Sequence, residues 1–152
     1  DADDINLWGH SMGGGVAQRV LTVNPAPYLR AAVLYGSMSG DEAQNYGRIR
    51  GWTSDDRVRF ELGASPAALA AISPATYFDR LEAAVAVHHS EADDVVPVAW
   101  SHALCERLEA LSAAGDIPYA PECTFYDLQP HTFRGDGDLR FIAATIDFFN
   151  RH

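Results

Sequence analysis

No lysine occurs in this chain of 152 residues; all 11 basic side chains are arginine. That absence excludes Ser–Lys dyads, Schiff-base lysines and the lysine of a phosphate-binding P-loop in one step. Positive charge is scarce altogether, with 11 basic against 21 acidic residues and a net charge of −10. Nucleic acid is therefore not an expected partner, because a phosphate backbone demands clustered positive charge. Long apolar runs are missing too. None approaches the roughly 18 residues of a membrane span, and the start carries no charged-then-apolar leader. The expectation is no membrane association and a cytoplasmic location. The chain opens on Asp1, as a mature product, an excised piece or a fragment would. Cysteine is rare as well. Cys105 and Cys123 are too few for a disulfide framework, and neither C-x-x-C nor H-E-x-x-H spacing is present to suggest zinc. Two buried free thiols are the expected state. A single bridge stays open, since sequence does not fix their separation.

What is present is a composition 47% hydrophobic, enough for one globular domain over residues 1–152. Neither an internal repeat nor a low-complexity tract nor a linker divides it. Ile5–Trp8 reads as a buried strand, and Gly13 to about Asn24 as the helix after it, stopped by Asn24-Pro25. Ala31–Tyr35 is a second apolar strand closed by Gly36. Residues 37–82 break the rhythm: they are polar and helix-prone, with Trp52, Phe60 and Leu62 among charges, and they predict a small helical cap over the strand ends. Ala83–His89 is a third strand, followed by the acidic loop SEADDVVP and an amphipathic helix from Ala99 to about Ala114. Cys123–Leu128 makes a fourth strand, and Leu139–Asn150 a last helix with Phe141, Ile142, Ile146 and Phe149 on one apolar face. Strands alternating with helices predict an α/β fold, a parallel sheet with helices on both faces in three layers. In such sheets active residues gather in loops at the carboxyl ends of the strands. Ser11, Asp93 and His131 follow the first, third and fourth strands.

The first of these loops is the stretch LWGHSMGGG, with Ser11 at the centre of a G-x-S-x-G spacing. A serine hydroxyl becomes a nucleophile when a histidine accepts its proton and a carboxylate fixes that histidine's tautomer. Gly9 and Gly13 are expected to let the strand turn sharply into the helix with Ser11 at the apex. The helix then begins where negative charge develops, making the Met12 N–H a natural oxyanion donor. A plain glycine-rich turn is the competing reading of the stretch alone. A phosphate loop fits worse: G-x-G-x-x-G needs glycine at Gln18, and a Walker motif needs lysine. Six histidines compete for the base. His10 should pack behind the turn, His88 and His89 end a strand and should support the acid loop, and His102 sits on a helix surface. His152 is the last residue. His131 follows the last strand in a loop able to fold back over the sheet. Of the acids, Asp94 competes with Asp93, and Glu91 is a weaker candidate. The bland reading of all three is a solvated charged loop.

Taken together, GHSMGG, HHSEADDVVP and PHTF resemble the α/β-hydrolase superfamily, in particular its dienelactone-hydrolase-like and prolyl-oligopeptidase-like branch. SPATYFDRL, residues 73–81, is similar to the segment these proteins place before the acid-bearing strand. The resemblance implies Ser11 as nucleophile, Asp93 as acid within a pattern H-G-x-x-D-x-x-V-P that begins at His89, and His131 as base. Ser90 replaces the usual glycine of that pattern. It implies no metal or organic cofactor. In the complete fold the nucleophile follows the fifth of eight strands, so this chain matches the nucleophile strand and the three after it, without the first four. The second oxyanion N–H, which the family takes from the loop after its third strand, lies outside the match. The expected activity is serine hydrolysis of a small carboxylic ester through an acyl-enzyme, with peptide hydrolysis second. The competing expectation is an idle half-hydrolase fold serving as an assembly module. The strand at residues 5–8 should present an open apolar edge, covered in a homo-oligomer or by a complementary chain.

Overall fold

A computed structural model of the chain describes residues 4–23, 25–52 and 65–152. In chain order it contains β1 (Ile5–His10), α1 (Met12–Val23), β2 (Leu29–Tyr35), α2 (Glu42–Arg50), α3 (Pro66–Ile72), a 3-10 stretch (Pro74–Arg80), β3 (Ala84–Ser90), α4 (Val98–Ala114), β4 (Glu122–Tyr126) and α5 (Gly135–Arg151). The strands form one sheet in the order β1-β2-β3-β4, and all three pairings are parallel. Parallel neighbours need a crossover, and each crossover here carries a helix back across a face of the sheet.

Alternation along β2 and β3 splits the core between the two faces. Ala32, Leu34, Val85 and Val87 pack with Ala17 and Leu21 of α1 and with Leu104, Leu108 and Leu111 of α4. Ala31, Val33, Tyr35, Ala84 and Ala86 pack on the opposite face with Phe133 and with Phe141 and Phe148 of α5. Because both faces are covered, these strands carry unbroken apolar runs instead of alternating polarity. The strand that leads to Ser11, expected to be buried, instead lies at the sheet edge with one neighbour among the described residues, and Ile5 is 38% and Trp8 52% exposed.

Two further expectations need correction. The last helix starts at Gly135, and its buried line is Phe141 and Phe148, with Phe149 partly covered, while Ile142 and Ile146 are 44% and 56% exposed. At about 100° per residue, Phe141 and Phe148 fall nearly in line, whereas Ile142 and Ile146 are rotated roughly 100–140° away. Cys105 and Cys123 are not free thiols; they form a disulfide. Cys105 lies on the inner face of α4, and the return from α4 to β4 brings the two Cα atoms to 6.4 Å, within bridging range. Closing a loop of this length stabilises by about 3 kcal/mol in the chain-entropy view. It fastens α4 to the strand that precedes the His131 loop.

Helices α2 and α3 lie within residues 37–82. Asp41 caps α2 by accepting from the Ala43 N–H, and Ser65 caps α3 by accepting from the Ala68 N–H. The Ser73 hydroxyl accepts from the Glu42 N–H and Arg19 of α1 pairs with Glu42, which ties the segment to the helix after the nucleophile strand. Trp52 is 51% exposed, beside the Arg48 guanidinium. Phe60 and Leu62 fall outside the described residues.

Candidate active site

Ser11 sits at the hinge between β1 and α1 with φ of 55°, the one non-glycine residue in the left-handed region among the described residues. Such a backbone is held at a cost of about 1–3 kcal/mol and persists where its surroundings over-determine it. Here the Ser11 N–H donates to the Tyr35 carbonyl, while the Ser11 carbonyl accepts from the N–H groups of Gly14 and Met38. The turn is thus pinned to the end of β2. Its steric demand differs from the expectation drawn from G-x-S-x-G. A methyl group on Gly9 would stand 2.6 Å from the Gly13 carbonyl carbon and 2.8 Å from the Gly14 Cα, but one on Gly13 would meet nothing within 4 Å. The second crowded glycine is Gly14, where a methyl would lie 3.0 Å from the Ser37 Cα. The Met12 N–H heads α1, among the four donors that a helix start leaves unpaired, and no backbone bond outside the helix uses it among the described residues.

The acid and the base candidates meet directly. His131 Nδ1 lies 2.7 Å from Asp93 Oδ2, and the Asp93 side chain is 1% exposed. The other oxygen, Oδ1, accepts from the N–H groups of Val95 and Val96 at 2.8 and 2.9 Å. Burial pushes the Asp93 carboxyl up. Hydrogen bonds from His89, His131, Val96 and Val95 outweigh that and hold it well below the usual carboxylate range. An ionised Asp93 requires the proton on His131 Nδ1, which leaves Nε2 as the acceptor a serine nucleophile needs. No hydrogen bond joins the Ser11 hydroxyl to His131 among the described residues. Catalytic contacts of this kind are often long in an uncomplexed enzyme and tighten with substrate.

Neighbouring groups set the position of the pair. Gly36, at φ of 48°, passes so close that a methyl on it would lie 3.3 Å from the His131 ring and 3.4 Å from Asp93 Oδ2. His10 stacks on Tyr35 at 4.3 Å and donates from Nε2 to the His131 carbonyl at 3.1 Å. Burial lowers the His10 pKa, against the opposing effect of that hydrogen bond. The Tyr35 hydroxyl accepts from the Phe133 N–H, anchoring the other side of the same loop. The Arg48 guanidinium donates to the carbonyls of Asp94 and Val95, clamping the acid loop from α2. Arg48, Tyr35 and Gly36 were not singled out from sequence. An arginine in a polar helix and a tyrosine in an apolar strand carry no signal of what they will face.

The competing candidates lie elsewhere. Asp94 is exposed and its carbonyl accepts from Arg48, and Glu91 pairs with the half-buried His102 at 3.0 Å. His88 contacts the Tyr126 hydroxyl at 3.0 Å, and burial holds its pKa down at about 4. His152 lies 3.8 Å from Glu122. A cleft of about 520 Å³ lies at the opposite sheet edge, lined by residues including Thr124, Tyr126, Gln129 and Arg140. Its size does not make it the reactive site, because none of Ser11, Asp93 and His131 lines it.

No protein-family model matches the sequence, and no curated protein matches it. Solved structures do match. An acylaminoacyl peptidase from Pyrococcus horikoshii aligns over 99% of this chain and 24% of its own, with TM-score 0.76 and 21% identity. A puromycin-hydrolyzing peptidase from Mycobacterium tuberculosis aligns over 99% of this chain and 22% of its own, with TM-score 0.72 and 23% identity. A point mutant of the meta-cleavage product hydrolase CumD aligns over 99% of this chain and 66% of its own, with TM-score 0.63 and 17% identity. The likeness shows the fold: four parallel strands with helices on both faces, part of an α/β-hydrolase fold. The chain spans about a quarter of the length of the peptidases it matches.

Proposed function

We propose that the chain carries the triad of a serine hydrolase that cleaves small carboxylic esters through an acyl-enzyme. Ser11 attacks the carbonyl, His131 takes the proton and returns it to the leaving alcohol, Asp93 orients the imidazole, and the Met12 N–H receives the oxyanion. The observation that carries this reading is the 2.7 Å bond between a buried carboxylate and the His131 ring, in the loops beside the Ser11 turn. Relatives named as peptidases support acyl transfer as the chemical class. An ester is preferred over a peptide because an alkoxide leaves more readily than an amine.

Labelling with a fluorophosphonate tests the nucleophile. Wild-type chain should react stoichiometrically and Ser11→Ala should stay unlabelled. Equal labelling of the two, or none of either, rejects Ser11 as an activated serine. The second outcome favours the idle assembly module.

The open β1 edge supports a partner, and a second copy of the chain is the simplest. Exposed Ile5 and Trp8 border this edge, whose free N–H and C=O groups can template pairing with another strand. Sedimentation should show a concentration-dependent dimer that Trp8→Lys weakens. A stable monomer across the range would reject it.

A further inference from the structure

We propose that His89 is a positioning residue for Asp93, fixed in one tautomer by Ser101, and that it sets how much of the carboxylate's charge is left for His131. The inference rests on the serine-hydrolase reading above and extends it one residue outward, into α4.

His89 is fully buried, and its two ring nitrogens face different chemistry. Nε2 lies 3.0 Å from Asp93 Oδ2 and 3.2 Å from the Val96 carbonyl. Both neighbours are acceptors, because Asp93 is held ionised, so Nε2 must carry the proton. In the neutral ring Nδ1 is then an acceptor. The group facing it at 2.7 Å is the hydroxyl of Ser101, itself 2% exposed and able to donate. Ser101 lies on α4, so a chain of donors runs from Ser101 through His89 to Asp93. It meets His131 at the same oxygen. Oδ2 accepts from both imidazoles and Oδ1 from two backbone N–H groups, which fills the roughly four lone-pair positions of a carboxylate. With no free position left, Asp93 cannot rotate. The negative charge on Oδ2 is shared between two rings, and the share taken by His89 is withheld from the imidazolium that forms on His131 during the reaction.

The titratable and charged groups that face the pair are His10 from β1, Tyr35 from β2, His89 from β3 and Arg48 from α2, with Asp94 adjacent in the acid loop. Of these, His89 alone hydrogen-bonds the carboxylate that holds His131. Removing that bond leaves Oδ2 to His131 alone and strengthens the charged form of its ring. The His131 titration in His89→Leu should therefore lie above that of the wild type. Ser101→Ala should shift it the same way but less, because the imidazole stays in place without its tautomer lock. In His89→Gln the amide N–H reaches the position of the imidazole Nε2–H, and the titration should return toward wild type.

Two readouts separate this inference from the reading beneath it. The first is the His131 titration followed by NMR, which needs no catalysis. The second is the acid limb of the pH profile for fluorophosphonate labelling, which requires an active Ser11. An upward shift in the NMR titration of His89→Leu, reversed in His89→Gln, supports the inference even if labelling fails and the hydrolase reading falls. An unchanged titration in both His89→Leu and Ser101→Ala overturns it. So does an equal shift in His89→Leu and His89→Gln, since that would make His89 packing only. If His89→Leu does not fold, Ser101→Ala and His89→Gln carry the test alone. A shift in Ser101→Ala without one in His89→Gln supports the inference, and no shift in Ser101→Ala rejects it.

Discussion

Replacing Asp93 by asparagine should lower turnover of a chromogenic ester by about 10⁴-fold while leaving the fold in place, the size seen when a triad acid becomes its amide. The arrangement of donors says why. Asp93 Oδ2 accepts from two imidazole N–H groups, and Oδ1 accepts from the Val95 and Val96 N–H groups. In the Asp93→Asn variant the carbonyl oxygen stays on the backbone donors, so the NH₂ group turns toward the rings. Facing a donor, His131 must present a bare Nδ1 and carry its proton on Nε2. An Nε2–H cannot accept the proton of Ser11, so the ring keeps its place and loses its function. His89 is affected as well. Its Nε2 would become an acceptor only 3.2 Å from the Val96 carbonyl, a repulsive contact between two acceptors. Turnover and circular dichroism measured together check this. A loss below tenfold with native dichroism would mean that Asp93 does not orient the base.

Gly9→Ala should destabilise the protein by about 3 kcal/mol or more, at the upper end of overpacking effects. Gly13→Ala should stay within about 1 kcal/mol of wild type, on the stabilising side, because alanine is the better helix former. The contrast comes from what each methyl would meet. At Gly9 the neighbours are the Gly13 carbonyl group and the Gly14 Cα, all backbone of the first turn of α1. Backbone can yield only by moving the helix away from the strand, which would also open the turn that holds Ser11 at φ of 55°. At Gly13 there is open space. Urea unfolding of the two variants side by side provides the check. Equal destabilisation would show that the crowding at Gly9 is relieved more easily than the geometry indicates.

Much of this architecture was legible in the residues. Apolar runs such as AAVLY and AAVAV mark strands buried on both faces, and the breaks at Gly36 and Gly115 mark where elements stop. The order of serine, acid and histidine after the first, third and fourth strands places all three at one end of a parallel sheet. What was not legible depends on the third dimension. Nothing about Cys105 and Cys123 says that α4 returns to β4 at bridging distance. Ile142 and Ile146 look like core at helical spacing, yet the sheet meets α5 along the Phe141–Phe148 line. The role of Gly14 is hidden because its crowding comes from Ser37, beyond a whole strand. His89 could be placed as a support of the acid loop, since it ends the strand that leads into it. Its partner Ser101 could not, because a serine in a helix gives no sign of facing inward.

The sheet also has a consequence for how the chain reaches its final form. Trp8 pairs with Val33, Val33 with Ala86, and Ala86 with Glu122, so none of the four described strands pairs with a hairpin neighbour. Each rung requires a long loop to close before any contact rewards it, the arrangement that slows folding at a given stability. Synthesis proceeds from the N-terminus, so the Ser11 turn leaves the ribosome well before the residues around His131. The base has no fixed position until β4 has joined β3 and the loop after it is anchored through the Tyr35 hydroxyl. A partly folded chain can thus hold its serine at the apex of a formed turn without the imidazole that would activate it. The contact between Asp93 and His131 therefore depends on the last strand pairing of the sheet.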